Sequence, residues 1–384
     1  MNSRWMKRAA AKCLLAILAC GVLTAVVADE PKGAGDTQIA KKFVAHEWGT
    51  FSTFSGSDGA YLKFCPNEND LPGFVNSRHN FVKGGLTDAY VSLETPVLYF
   101  YSDRDRTVSV HVEFRDGVMT DWYPEASRRP TENIRWDNLQ ITPGHLNLPE
   151  EGGRGRYFHA RDADSAFLRT AHNANSNEKF LFYRGVGEGR MPFTVRALGG
   201  GEFVVKNTAK DAIPGLFLIR VQNGKVFFKQ SGSLSPQAVV GLKESTMASS
   251  AEKLGEAVEH LLIQQGLYEK EARAMVKTWS TDWFGDNGTR VLYLIPQTQT
   301  ADVLPLSIEP KPDQLVRVLV GRHDILTPER EKEIDVLVKR IEGPSNAESQ
   351  AANHTLDELG RYRSSAQKAA SARLKAQASA KTGR

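Results

Sequence analysis

Cysteine is scarce in this chain of 384 residues: Cys13, Cys20 and Cys65 are the only three. Two of them fall within the first 28 residues, so loss of that stretch leaves one and excludes an intrachain disulfide. No Cys-Cys pair stands at metal-binding spacing. Cys65 lies in Leu62-Lys63-Phe64-Cys65-Pro66, an apolar setting that predicts a buried, inert thiol. Several catalytic signatures are missing as well. His46-Glu47 is followed by Trp48, Gly49 and Thr50, so the second histidine of H-E-x-x-H is lacking and the zinc-peptidase helix is excluded there. There is no P-loop and no nucleophile elbow. Gly185, Gly187 and Gly189 run into Met191-Pro192 rather than a striped helix, which rules out a dinucleotide fingerprint. Asp162-Ala163-Asp164-Ser165 lacks the glycine and terminal glutamate of a calcium loop and reads as a turn.

Long apolar runs are nearly absent too. The exception, CLLAILACGVLTAVVA at 13–28, follows Arg4, Lys7, Arg8 and Lys12 and ends before Asp29-Glu30. It falls short of the roughly 20 residues of a bilayer span. A basic region, an apolar region and a Val-Val-Ala end predict a cleaved signal peptide at 1–28 and a periplasmic or secreted protein. The alternatives are an uncleaved N-terminal anchor and, with Leu18 a poor fit, lipidation at Cys20.

Acid is missing from two regions. The leader carries four bases and no acid, and residues 361–384 carry seven bases and no acid. Removing those four and seven from the net charge of +4 leaves −7 for 29–360. An acidic body argues against a nucleic-acid surface. Membrane contact is then left to the signal segment or the basic tail.

What remains is a strand-rich body. TVSVHVEF (107–114) alternates apolar and polar residues with the period of a half-buried strand. Asp116-Gly117 after it predicts a hairpin to VMTDWYP (118–124), and Asn223-Gly224 predicts a second hairpin between LFLIRV (216–221) and KVFFKQ (225–230). TPVLYFYSD (95–103) suits a central strand. Leu254, Val258, Leu261 and Leu262, then Ala272, Met275, Val276 and Trp279, make two helical stripes: an αα-hairpin with Tyr268 at its turn. Thr327-Pro328-Glu329 caps a last helix. The expected fold class is mainly β, a β-sandwich-like body with an αα-hairpin insert and a C-terminal helix. Its parts are a polar leader at 29–42 and an N-terminal β-rich domain at 43–190. A second β-rich part follows at 191–343, with the helical hairpin at 251–279 and a helix at 328–342, and then a basic, disordered tail at 344–384.

Three sets of residues could carry chemistry. On a regular strand through HEWGTF, His46 and Trp48 share one face and Glu47 the other, and Gly49 is the place for a bulge. His111 and Glu113 share a strand face; with His46 they would make a ligand set for a divalent transition metal, the cofactor such a set implies. The competing expectation is a wet outer sheet face. Glu47, Glu94 and Asp121 are candidate catalytic carboxylates for a glycan, one to protonate and one to attack or activate water. Trp48, Trp122 and Tyr123 are candidate ligand platforms. Arg184 ends an apolar run and could grip a carboxylate or sulfate, or tie down a loop.

The stretches HEWGTF, ETPVLYFY (94–101), DWYP (121–124), FLFYRGVG (180–187) and GLYEKEARAMVKTW (266–279) together resemble a family of exported bacterial proteins of unknown function, over about residues 43–340. The resemblance implies one coherent exported protein and no mechanism. Whether the chain is an enzyme stays open. One expectation is a binding or structural protein of the envelope or secretome, with a glycan or cell-envelope polymer as partner. The other is a secreted hydrolase, metal-assisted or acting through paired carboxylates.

Overall fold

A computed structural model describes residues 43–66, 70–78, 88–150, 155–171, 173, 175–189 and 191–382. The expected signal segment at 1–28 and polar leader at 29–42 lie outside the described residues. In chain order the strands are β1 (Val44–Ser55), β2 (Asn76–Ser77), β3 (Val91–Tyr101), β4 (Arg106–Glu113), β5 (Gly117–Tyr123), β6 (Asn133–Thr142), β7 (Phe167–Arg169), β8 (Asn177–Glu178) and β9 (Leu181–Gly187). They continue as β10 (Phe193–Gly199), β11 (Glu202–Asn207), β12 (Leu216–Gln222), β13 (Lys225–Ser231), β14 (Val239–Lys243), β15 (Gly288–Leu294), β16 (Leu306–Glu309) and β17 (Gln314–Ile325). The helices are α1 (Ala251–Gln264), α2 (Glu269–Phe284), α3 (Gln297–Val303), α4 (Pro328–Ile341), α5 (Ala347–Asp357) and α6 (Arg363–Thr382), with a 3-10 turn at Arg156–Asp162.

Nine strands form the central sheet, in the order β13-β12-β15-β17-β1-β3-β9-β5-β2. Its two faces differ. On one, Ala45, Phe51, Leu93 and Leu98 pack against the five-stranded sheet β16-β4-β6-β7-β8 and the three-stranded sheet β10-β11-β14, which is the sandwich-like part. On the other, Val44, Trp48, Val97 and Tyr99 meet Leu254, Val258 and Leu262 of α1 and Met275, Trp279 and Trp283 of α2. The mainly β class, the αα-hairpin and the C-terminal helix are therefore as expected. β1 and β17 pair in parallel from Val44↔Gln314 to Ser55↔Ile325. Segments 43–190 and 191–343 thus share one sheet, within one compact unit of the described residues.

Local chemistry explains the turns. Asn223 and Gly224 take φ of 50° and 73°, the doubly positive pair of a tight hairpin, and β12 pairs with β13 as predicted. Asp116-Gly117 does not make a hairpin, contrary to expectation. β4 pairs with β16 and β6 in one sheet, and β5 with β9 and β2 in another, so the turn passes the chain between layers. Phe114 fills the corner; a Cβ on Gly117 or Gly185 would stand 2.5 or 2.7 Å from its ring. That close approach is what FLFYRGVG spends its glycine on.

The tail is the second correction. Residues 347–357 and 363–382 are helical, and Ala352, Leu356, Ala366 and Ala370 pack with Ile334, Leu337 and Val338 of α4. Ala, Gln, Lys and Arg are strong helix formers, and alanine at i and i+4 is enough to seat a helix on another. Cys65 is the third. It is exposed, with Sγ 3.1 Å from Asp88 Oδ1, because the neighbour that turns inward is Phe64.

Candidate functional site

HEWGTF is the middle of β1, wholly buried and central in the sheet. Between Trp48 and Thr50 its register with β3 shifts: Gly49 faces the extra residues Thr95 and Pro96, and Thr95 has φ 53°. A Cβ on Gly49 would lie 2.9 Å from Pro96 Cα, so the bulge requires glycine opposite it. β1 itself stays regular, and His46 and Glu47 point to opposite faces.

Each then finds a fixed partner. His46 Nδ1 is 2.8 Å from Glu271 Oε2, beside the rings of Tyr101 and Tyr268; Tyr101 donates its hydroxyl to Glu271 at 2.7 Å. Glu47 accepts from Arg317 Nε at 2.5 Å and from the Tyr183 hydroxyl. His111 and Glu113 lie on the outer face of the five-stranded sheet, across the core from His46, and Glu113 is 3.7 Å from Arg115. The proposed metal set is therefore not assembled. Among the described residues no group of three or more His, Cys, Asp or Glu could hold a metal ion. Trp48, Trp122 and Tyr123 are core residues, 0%, 6% and 4% exposed.

Three predicted residues do meet. Glu94, Asp121 and Arg184, on the adjacent strands β3, β5 and β9, line one cavity with Ser92 and Thr120. Its volume is about 10 Å³, the scale of one water molecule. Arg184 holds Asp70 with two hydrogen bonds of 2.6 and 2.9 Å. Asp121 pairs in register with Arg184 and accepts from Thr120 Oγ1 at 2.8 Å. Glu94 accepts from Ser52 Oγ at 2.8 Å and from Arg361, which reaches in from the turn before α6. Glu47 is on the opposite sheet face, so it makes no acid pair with Glu94.

The cavity is one end of a buried belt of charge on the helix-covered face. Arg156 bridges Asp70 and Asp282. At the far end Asp324 accepts from Arg322 Nε at 2.6 Å, Arg290 Nε at 3.0 Å and the Tyr362 hydroxyl at 2.7 Å. Burial alone would raise the pKa of Glu94, but the charge of Arg361 and the bonds from Arg361 and Ser52 outweigh it, and the carboxyl lies below the ordinary glutamate range. Burial likewise opposes Asp324, and Arg322 and Arg290 overcome it. Asp282 is pushed up by burial against the pull of Arg156. On the sandwich face His323 is bonded at both nitrogens, to Thr53 at 2.8 Å and Ser55 at 2.9 Å, and burial lowers its pKa to about 4.

Arg361 also lines a second, open feature. A groove of about 740 Å³ runs between α4 and α6, with Val338 and Ile341 on its floor and Arg361, Arg363, Lys368 and Lys375 around it. Sequence reading missed Asp70, Arg290, Arg322, Asp324 and Arg361. A signal existed for some: LVRVLVGRHDIL sets Arg317, Arg322 and Asp324 inside an otherwise apolar strand, where a charge needs a buried partner.

The sequence matches no protein-family model and no curated protein. Among solved structures the chain is similar to the yeast delta-COP-I mu-homology domain, with 7% identity and a TM-score of 0.32 over 74% of this chain and 97% of that one. The same domain complexed with the Dsl1 WxWxV peptide matches with 5% identity and a TM-score of 0.30, over 74% and 98%. Likenesses of that strength carry no argument about this site. No helix among the described residues is long and apolar enough to cross a membrane.

Proposed function

We propose that this chain is an exported binding protein of the envelope or secretome, with a glycan or cell-envelope polymer as its ligand, rather than a hydrolase. One observation carries the choice: the candidate catalytic acids are enclosed, with Glu47 and Glu94 each held in an ion pair, while the open groove carries basic side chains. A glycosidase acid must be kept protonated until it donates, which takes an upward shift. Glu94 is shifted the other way, and Arg361 and Ser52 occupy its oxygens. A cavity on the scale of one water admits no sugar ring. Export is supported by the basic, apolar and small-residue pattern of residues 1–28 and by the resemblance to exported proteins.

The test is a panel of neutral and acidic oligosaccharides, followed for both retention and reducing-end release. Binding without turnover is the expected result. Turnover abolished by Glu94→Gln in a folded variant would replace this reading with the hydrolase. N-terminal sequencing of protein from the periplasm or medium should begin at Asp29.

A further inference from the structure

We infer that the groove between α4 and α6 is the ligand site itself, and that it takes a carboxylate-bearing glycan strand. The inference rests on the binding reading above and specifies its place and chemistry. α6 carries two distinct stripes. Ala366 and Ala370 are buried against the body. Ser364, Gln367, Lys368, Ser371, Ala372 and Lys375, spaced i, i+3, i+4, i+7, i+8 and i+11, line the groove. Apart from Ala372, this outward stripe is hydroxyl, amide and ammonium, the polar face of an amphipathic helix.

Those groups are mostly hydrogen-bond donors, and no acid stands anywhere from Arg361 to Arg384. Two acids partly offset the charge: Asp88 at the rim, 3.2 Å from Lys368 Nζ, and Glu342, which itself lines the groove and accepts from Ser371 Oγ at 3.0 Å. Arg363 is paired with Asp357. At the groove's inner end Arg361 is 11% exposed; it bonds Glu94, and its second terminal nitrogen is buried without a hydrogen-bond partner. A chain of acceptors and negative charges is the complement of this lining. Hydroxyl and amide donors between the cations suit sugar oxygens. A flat bilayer would touch the rim and not the floor, so a polymer strand fits better than a lipid surface.

The test uses the full mature chain and its Lys368→Glu/Lys375→Glu variant. The probes are a galacturonic-acid oligosaccharide, the same oligosaccharide with every carboxylate methyl-esterified, and phosphatidylglycerol vesicles. The acid form should bind the wild type, weaken as salt rises, and lose roughly tenfold or more in affinity in the variant, as removal of complementary charge does. The milder Lys368→Gln/Lys375→Gln pair should fall between them and guards against misfolding. Equal binding of the acid form by wild type and variant would overturn the groove and leave the binding reading intact. So would an ester bound as tightly as the acid. Vesicles bound in place of the saccharide would overturn the glycan in favour of lipid. A wild type that retains no member of the wider panel would overturn the inference and the binding reading together.

Discussion

The belt and the groove hold the same residue types in opposite situations. In the belt, Arg184, Arg290 and Arg322 are buried and the Arg361 side chain is 11% exposed, and each is hydrogen-bonded to a carboxylate. In the groove, Lys368 is 71% exposed and its one ion pair is a long one at the rim. Buried charge that is paired specifies structure, and breaking one pair is costly because the survivor stays unpaired. Exposed charge contributes little to stability and is free for a partner. Substitutions in the belt should therefore act on folding, and substitutions in the groove on affinity.

The largest expected effect is at the crowded end of the belt. Arg322→Met leaves Asp324 without its closest cation and should cost about 3–5 kcal/mol in urea unfolding. A loss below about 1 kcal/mol, the worth of an exposed pair, would break the distinction. Next is His323, across the sheet. Its folded pKa of about 4 lies below its ordinary 6.5, so the folded state favours the neutral ring. That contribution is complete above about pH 6.5 and disappears as pH falls through about 4, by about 3 kcal/mol in total. His323→Gln should flatten the stability curve across that window; an unchanged slope would remove His323 as its source. Gly321→Ala comes third. A Cβ there would stand 2.2 Å from Tyr293, whose ring lies on Phe193 with centroids 4.0 Å apart. Overpacking of this kind costs about 1–3 kcal/mol. The smallest effect sharpens the comparison: Lys368→Glu/Lys375→Glu should leave the urea midpoint where it was.

How much of this was legible in the sequence follows from the range of each interaction. Asn223-Gly224 and Thr327-Pro328 act within a few residues, and both elements formed where they were expected. Asp116-Gly117 looked equally local, yet Phe114 and three neighbouring glycines sent the strands to different sheets. The tail's composition suggested disorder, because alanine is counted as weakly apolar; placed at i and i+4 against Leu337 and Val338, it was enough. Glu94 and Asp121, expected together as carboxylates, and Arg184, expected as a separate ligand residue, do meet. Their partners Arg361 and Asp70 stand 267 and 114 positions away, and nothing in their own surroundings marks them. Pairing across a sheet is set by topology, which no local pattern records.

The most direct measurement is a double-mutant cycle in urea across Glu94 and Arg361, where the belt and the groove touch. The account predicts that Glu94→Leu and Arg361→Met each destabilise by about 3 kcal/mol or more, and that the double variant loses far less than their sum, since no charge is then left unpaired. Two small and additive losses would contradict it, because Glu94 would then be held for some purpose other than the fold.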